Sequence, residues 1–217
     1  MATTSLASRT SPDDERRLRD FGLSTELIHT AMLPGLSRAS NRTTMALSST
    51  PGTDIYHESM EQLHLRLAET GWRLVYVDQQ PRLLHPDGVV SFTTASGTNV
   101  ANPDPRHQPR TRRKGNATRN SLGGPKAQVD SLFDLPELLQ EQAAASAAVS
   151  APLWLLVHER TDRGLKLELS RPAEMTISGQ VTRWVDRIFI GFLDLDGDLS
   201  VFDDTEDGGI DVAIEPR

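Results

Sequence analysis

His57, Glu61 and His64 fall at i, i+4 and i+7 of one helical face, where two imidazoles and a carboxylate could share a metal ion. The order is not that of a zinc-protease helix, because Glu58 has no histidine at the required spacing. A solvated helix face beside the apolar stripe Met60, Leu63 and Leu67 is the simpler reading. Asp194, Asp196 and Asp198, in "DLDGDLSVFDDTE", occupy positions one, three and five of a calcium loop. Position six should be a turn-forming glycine and is Leu199; position twelve should be a bidentate glutamate and is Thr205. The aspartates therefore read as an acidic tail. Lys166-Leu167-Glu168 reverses the carboxylate-x-lysine order of a metal-dependent nuclease and reads as a surface or cross-strand charge pair. His158, close to Trp154 and Leu156, is expected to be a half-buried structural histidine. There is no Gly-x-Ser-x-Gly elbow and no glycine-rich phosphate loop with a lysine, so no cofactor is expected and catalysis ranks behind binding. An uncharacterised hydrolase or nuclease would need carboxylates such as Asp78 and Asp87 brought together by the fold.

The strongest chemical signal is charge. From Asn102 to Asn120 the chain reads "NPDPRHQPRTRRKGNATRN". Arg106, Arg110, Arg112, Arg113, Lys114 and Arg119, with His107, oppose a lone acid, Asp104. Nucleic acid is the partner that offers anionic charge at this density, and the guanidinium fork suits phosphate. No aromatic residue interrupts the run, so stacking on single-stranded bases is not indicated.

The opposite charge is segregated at the C-terminus. Residues 194–217 hold nine acids and one base, a net −8, which leaves +1 for the rest of a chain whose total is −7. Asp194, Asp196, Asp198, Asp203, Asp204, Glu206 and Asp207 could compete with nucleic acid for the basic segment. The same acids could instead engage a basic protein partner, as an inhibitor or antitoxin-like module would. Calcium chemistry is not needed to account for them.

Composition narrows the classes further. The chain has no cysteine, which excludes disulfides, thiolate metal sites and cysteine nucleophiles. No apolar run approaches the ~20 residues of a membrane span, and the N-terminus lacks the apolar middle of a secretory signal. A cytoplasmic location without a membrane partner is the expectation.

The elements that must carry these residues can be read from caps, periodicity and turns. Residues 1–23 are expected to be partly disordered with one short helix, "SPDDERRLRDFG", capped by Ser11 and stopped at Gly22. "STELIHTAML" reads as a short helix or strand ended by Pro34 and Gly35, and "TTMALS" as a strand. A helix through "HESMEQLHLRLAETG" leads to the strand "WRLVYVDQ" and a hairpin around His85-Pro86-Asp87-Gly88. Four prolines and a cluster of glycines and asparagines argue against regular structure in the basic segment, within a flexible interruption at about 99–150. A helix is expected around Pro136–Ala148. The second half reads as a hairpin, "LWLLVHERTDRGLKLELSRP", then a helix, "ISGQVTRWVDRIFI", with the stripe Ile177, Val181, Trp184, Val185 and Ile188. The expected fold is α+β: an antiparallel or mixed sheet of about five strands, helices on one face, spanning 24–193 and followed by the acidic tail 194–217.

"GWRLVYVDQQPRLLHPDG", "TRRKGNAT" and the segment ending "RWVDRIFI" together resemble a group of uncharacterised actinobacterial proteins often carried on phages or other mobile elements. The resemblance covers about residues 24–217 and implies an accessory role on such an element, with no activity or site residues attached.

Overall fold

Ser11 and Ser24 set the N-terminal architecture. Each places its hydroxyl as a helix N-cap, accepting from Asp14 N and Leu27 N at 3.1 Å. The structure, a computed structural model, describes residues 9–122 and 136–195. Helix α1 spans Pro12–Asp20, with three acids in its first turn, and Gly22 takes the positive φ of +69° that turns the chain back. Helix α2, Thr25–Ser40, does not stop at Pro34 and Gly35 as expected. A Cβ on Gly35 would stand 2.9 Å from Ile55 Cα, so the glycine marks the close crossing of α2 with α3, Thr50–Ala68. The segment 43–48 read as a strand is turn and irregular chain before α3.

The sheet follows. Strands β1 (Arg73–Val77), β2 (Gln80–Leu84) and β3 (Ser91–Thr98) form an antiparallel meander. The segment expected to lack regular structure contains a short strand β4, Arg110–Thr111, paired with β3, and a helix α4, Asn116–Leu122. Helix α5, Pro136–Ser150, then leads to β5, Leu153–Arg160, which pairs parallel with β3. Strands β6 (Gly164–Met175) and β7 (Val181–Asp194) complete the order β1-β2-β3-β5-β6-β7, with β4 on the end of β3. The fold is thus α+β with a mixed sheet of seven strands and five helices among the described residues, two strands more than expected.

One of the added strands is β7, which replaces the helix expected over "ISGQVTRWVDRIFI". Its apolar residues suit helical spacing, yet Ile177 is 99% exposed on the β6–β7 turn and Val185 is also exposed. Val, Thr, Trp, Ile and Phe favour strands, and the long β6 supplies a pairing edge. Register shifts in that ladder break the simple alternation that would have shown the strand in the sequence.

Helices lie on both faces rather than one. Leu83, Phe92, Trp154, Leu156, Leu167 and Ile188 face the layer made by α1–α3. Val75, Val77 and Leu84 point the other way, against Ala144 and Ala148 of α5. Among the described residues no helix is long and apolar enough to cross a membrane.

Candidate functional site

The basic segment is pinned to the sheet by its backbone. Arg112 N donates to Ser96 O at 2.9 Å, and Lys114 N to Gly179 O at 2.7 Å. Val181 N donates to the Thr111 hydroxyl at 3.0 Å, and the Trp184 indole to Pro109 O at 2.8 Å. The tip of the β6–β7 hairpin is therefore the rail along which the cations are set. Two of them grip it directly: Arg113 donates to Ser178 O at 2.9 Å, and Arg119 to Thr176 O and Ile177 O at 3.3 and 3.1 Å.

A buried arginine that the sequence did not single out holds α4, and with it Arg119, in place. Arg82 is fully buried on β2 and donates to Ala117 O at 3.1 Å and to the Ser121 hydroxyl at 2.9 Å. Burial pulls its guanidinium down to about 10.

Charge pairing separates the six candidates. Elsewhere several guanidinium groups find carboxylates: Arg17 meets Asp186 at 2.6 Å, Arg42 meets Asp54 at 2.8 Å and Arg187 meets Glu168 at 2.7 Å. In the basic segment only Arg106 does so among the described residues, forking onto Asp104, whose carboxyl the Arg106 guanidinium holds at about 2. Arg110, Arg112, Arg113, Lys114 and Arg119 form no ion pair with any described residue. Hydrogen bonds to carbonyl groups orient Arg113 and Arg119 without neutralising them. Lys114 is partly buried, and that burial lowers its ammonium to about 8.

Arg110 and Arg112 also line a cleft of about 450 Å³. One wall is the start of α3 at Pro51 and Gly52; the floor is Ser96 of β3 beside His158 of β5, a registered pair on the parallel strands. Arg160, the last residue of β5, and Asp162, on the β5–β6 turn, also line it. His158 is buried rather than half-buried, with 2% exposure, and its Nδ1 has no hydrogen-bond partner. Burial first, then the charges of Lys114 and Arg112, push its imidazole down to about 3, so it is neutral. The smaller, coulombic part of that shift places His158 within reach of the positive charge of Lys114 and Arg112.

Other sequence candidates resolve differently. Glu168 is not a surface charge: it is fully buried, accepting from Arg187 at 2.7 and 3.2 Å, from the Ser170 hydroxyl at 2.7 Å and from Ala101 N at 2.8 Å. It ties β6 and β7 to the connection leaving β3. Among the described residues no group of three or more His, Asp or Glu is placed to hold a metal ion, His57, Glu61 and His64 included. Asp194 bonds to Arg163 Nη2 at 3.0 Å, while Asp196, Asp198, Asp203, Asp204, Glu206 and Asp207 lie outside the described residues. No family model, no curated protein and no solved structure matches the chain.

Proposed function

We propose that the protein is a binding factor that contacts the phosphate backbone of nucleic acid through Arg110, Arg112, Arg113, Lys114 and Arg119, with the acidic tail as an intramolecular competitor. The observation that carries this reading is a concentration of unpaired charge: within the ten positions from Arg110 to Arg119 five cations meet no carboxylate among the described residues, whereas others without one, such as Arg66, Arg73 and Arg171, are scattered along the sequence. Their carrier segment is fixed by backbone bonds to the sheet, so little ordering entropy opposes binding. Trp184 and the other two tryptophans are engaged within the fold, consistent with backbone contact rather than base stacking. The resemblance to mobile-element proteins fits an accessory role of this kind.

The test is a fluorescence-anisotropy titration of labelled duplex DNA and RNA across a salt series. Five phosphate contacts on duplex DNA give a log–log salt slope of about −4.5. Changing Arg110, Arg112 and Arg113 together to Ala lowers the slope magnitude by about 2.7 units. Absence of binding by the full chain even at low salt overturns the reading and turns attention to a protein partner.

A further inference from the structure

We propose that the cleft at the start of α3 is a site for a phosphate monoester, the dianion carried by a free nucleotide or by the 5′ end of a nucleic-acid strand. The strand-end form rests on the nucleic-acid reading above; the nucleotide form does not. The helix behind the cleft is 19 residues long, its first turn holds no acid, and the Ser49 side chain makes no capping bond. Thr50 N donates to Leu47 O and Thr53 N to Ser49 O, while Pro51 has no N–H. That leaves the Gly52 N–H as the first-turn donor with no acceptor among the described residues.

The second observation comes from the opposite side. His158, 2% exposed, lines the same cleft with its Nδ1 unpartnered, a polar atom that the fold buries without satisfying. Arg112 joins the two: its Nη1 lies 4.0 Å from where a Cβ on Gly52 would stand. Arg110 and Arg160 add two further cations to the wall. Of the two acids there, Glu159 is committed to the Val100 N–H at 3.0 Å, and Asp162 is exposed on the β5–β6 turn.

Helix end, guanidinium and buried imidazole converge on one volume, as a dianion with several acceptor oxygens requires. A monoester enters such a cleft on a single tether. A diester backbone, tethered on both sides, runs past its mouth along the cation row instead.

Gly52 provides a test that leaves the fold intact, since a Cβ there meets nothing closer than the Arg112 tip. Gly52→Ala adds the Cβ alone. Gly52→Asp adds a carboxylate at the positive end of the helix, where it suits the fold and fills the anion site. Calorimetric titration of the full chain with adenosine 5′-monophosphate and with inorganic phosphate gives the free-ligand arm. Anisotropy with 5′-phosphorylated and 5′-hydroxyl strands of the same sequence gives the strand-end arm.

Binding of the free phosphates that survives Gly52→Ala and weakens by about tenfold or more in Gly52→Asp supports the site. If the monophosphate binds and neither strand does, the cleft stands and the nucleic-acid reading falls. If both strands bind equally, free phosphates do not bind and Gly52→Asp changes nothing, the cleft proposal is overturned while the nucleic-acid reading survives. A preference for the 5′-phosphorylated strand that Gly52→Asp removes supports both.

Discussion

Two buried ionisable side chains govern how the molecule responds to substitution and to acid. Glu168 is fully buried, and Arg187, its partner, is nearly so. Every oxygen of the carboxylate is engaged, so removing it strands a guanidinium in a low-dielectric layer between β6 and β7. Glu168→Ala is expected to lower stability by about 3–5 kcal/mol, read as a fall in the urea midpoint at unchanged slope. His158 acts through pH. Its pKa of about 3 in the fold lies below the ordinary 6.5, so the unfolded chain takes up this proton first. The associated stability is therefore complete above pH 6.5 and drains as pH falls towards 3, at up to about 1.4 kcal/mol per unit. His29, whose imidazole is lowered by burial against β7, works in the same direction. Urea midpoints from pH 7.5 to 4.5 should fall steadily in the native chain and less steeply in His158→Gln. Equal slopes in the two proteins would show that His158 titrates normally.

At the scale of elements, the crossing of α2 and α3 decides where the cleft wall stands. Gly35 lets the α3 backbone approach to a distance that a side chain forbids, so Gly35→Ala is expected to cost about 1–3 kcal/mol through overpacking. The hairpin tip has a parallel requirement: Gly179 combines a φ of +89° with a would-be Cβ 2.9 Å from Lys114 O. Gly179→Ala should destabilise the chain by about 1–2 kcal/mol and release the basic segment from its rail, visible as faster amide exchange at Lys114. These features also show what the sequence can and cannot convey. The α1 cap at Ser11, the α3 periodicity and the hairpin at Pro86-Asp87-Gly88 depend on neighbours within a few residues, and they were legible. The strand β7 was not, because its identity comes from pairing with β6 rather than from its own spacing. The sequence alone ends α2 at Pro34-Gly35, although the helix runs on to Ser40, because the reason for that glycine lies on another helix. The cation cluster was visible as composition; the cleft was not, since His158 and Gly52 are 106 positions apart and line it together only once α3 packs on the sheet in which β5 pairs with β3.

For the molecule as a whole the decisive quantity is the separation of charge. Residues 196–217 carry eight acids and one base, so removing them takes the net charge from −7 to zero without touching a described residue. The point of attachment matters as much as the charge. Leu195 N donates to Arg163 O at 2.9 Å and Asp194 bonds to the Arg163 side chain, which fixes the start of the tail on the β5–β6 turn. The end of β5 and that turn also present Arg160 and Asp162 to the cleft, so the tail starts beside the proposed anion surface. A tethered polyanion of this kind raises the local concentration of competing carboxylates, and its field is screened beyond about 10 Å at 0.1 M salt. A chain ending at Leu195 should therefore bind duplex DNA about three- to tenfold more tightly at 0.1 M salt, with the advantage shrinking as salt rises to 0.5 M. Identical affinities at every salt concentration would remove the tail from the mechanism and leave the cation row to act alone. A loss of affinity on truncation would assign the tail to the binding surface itself.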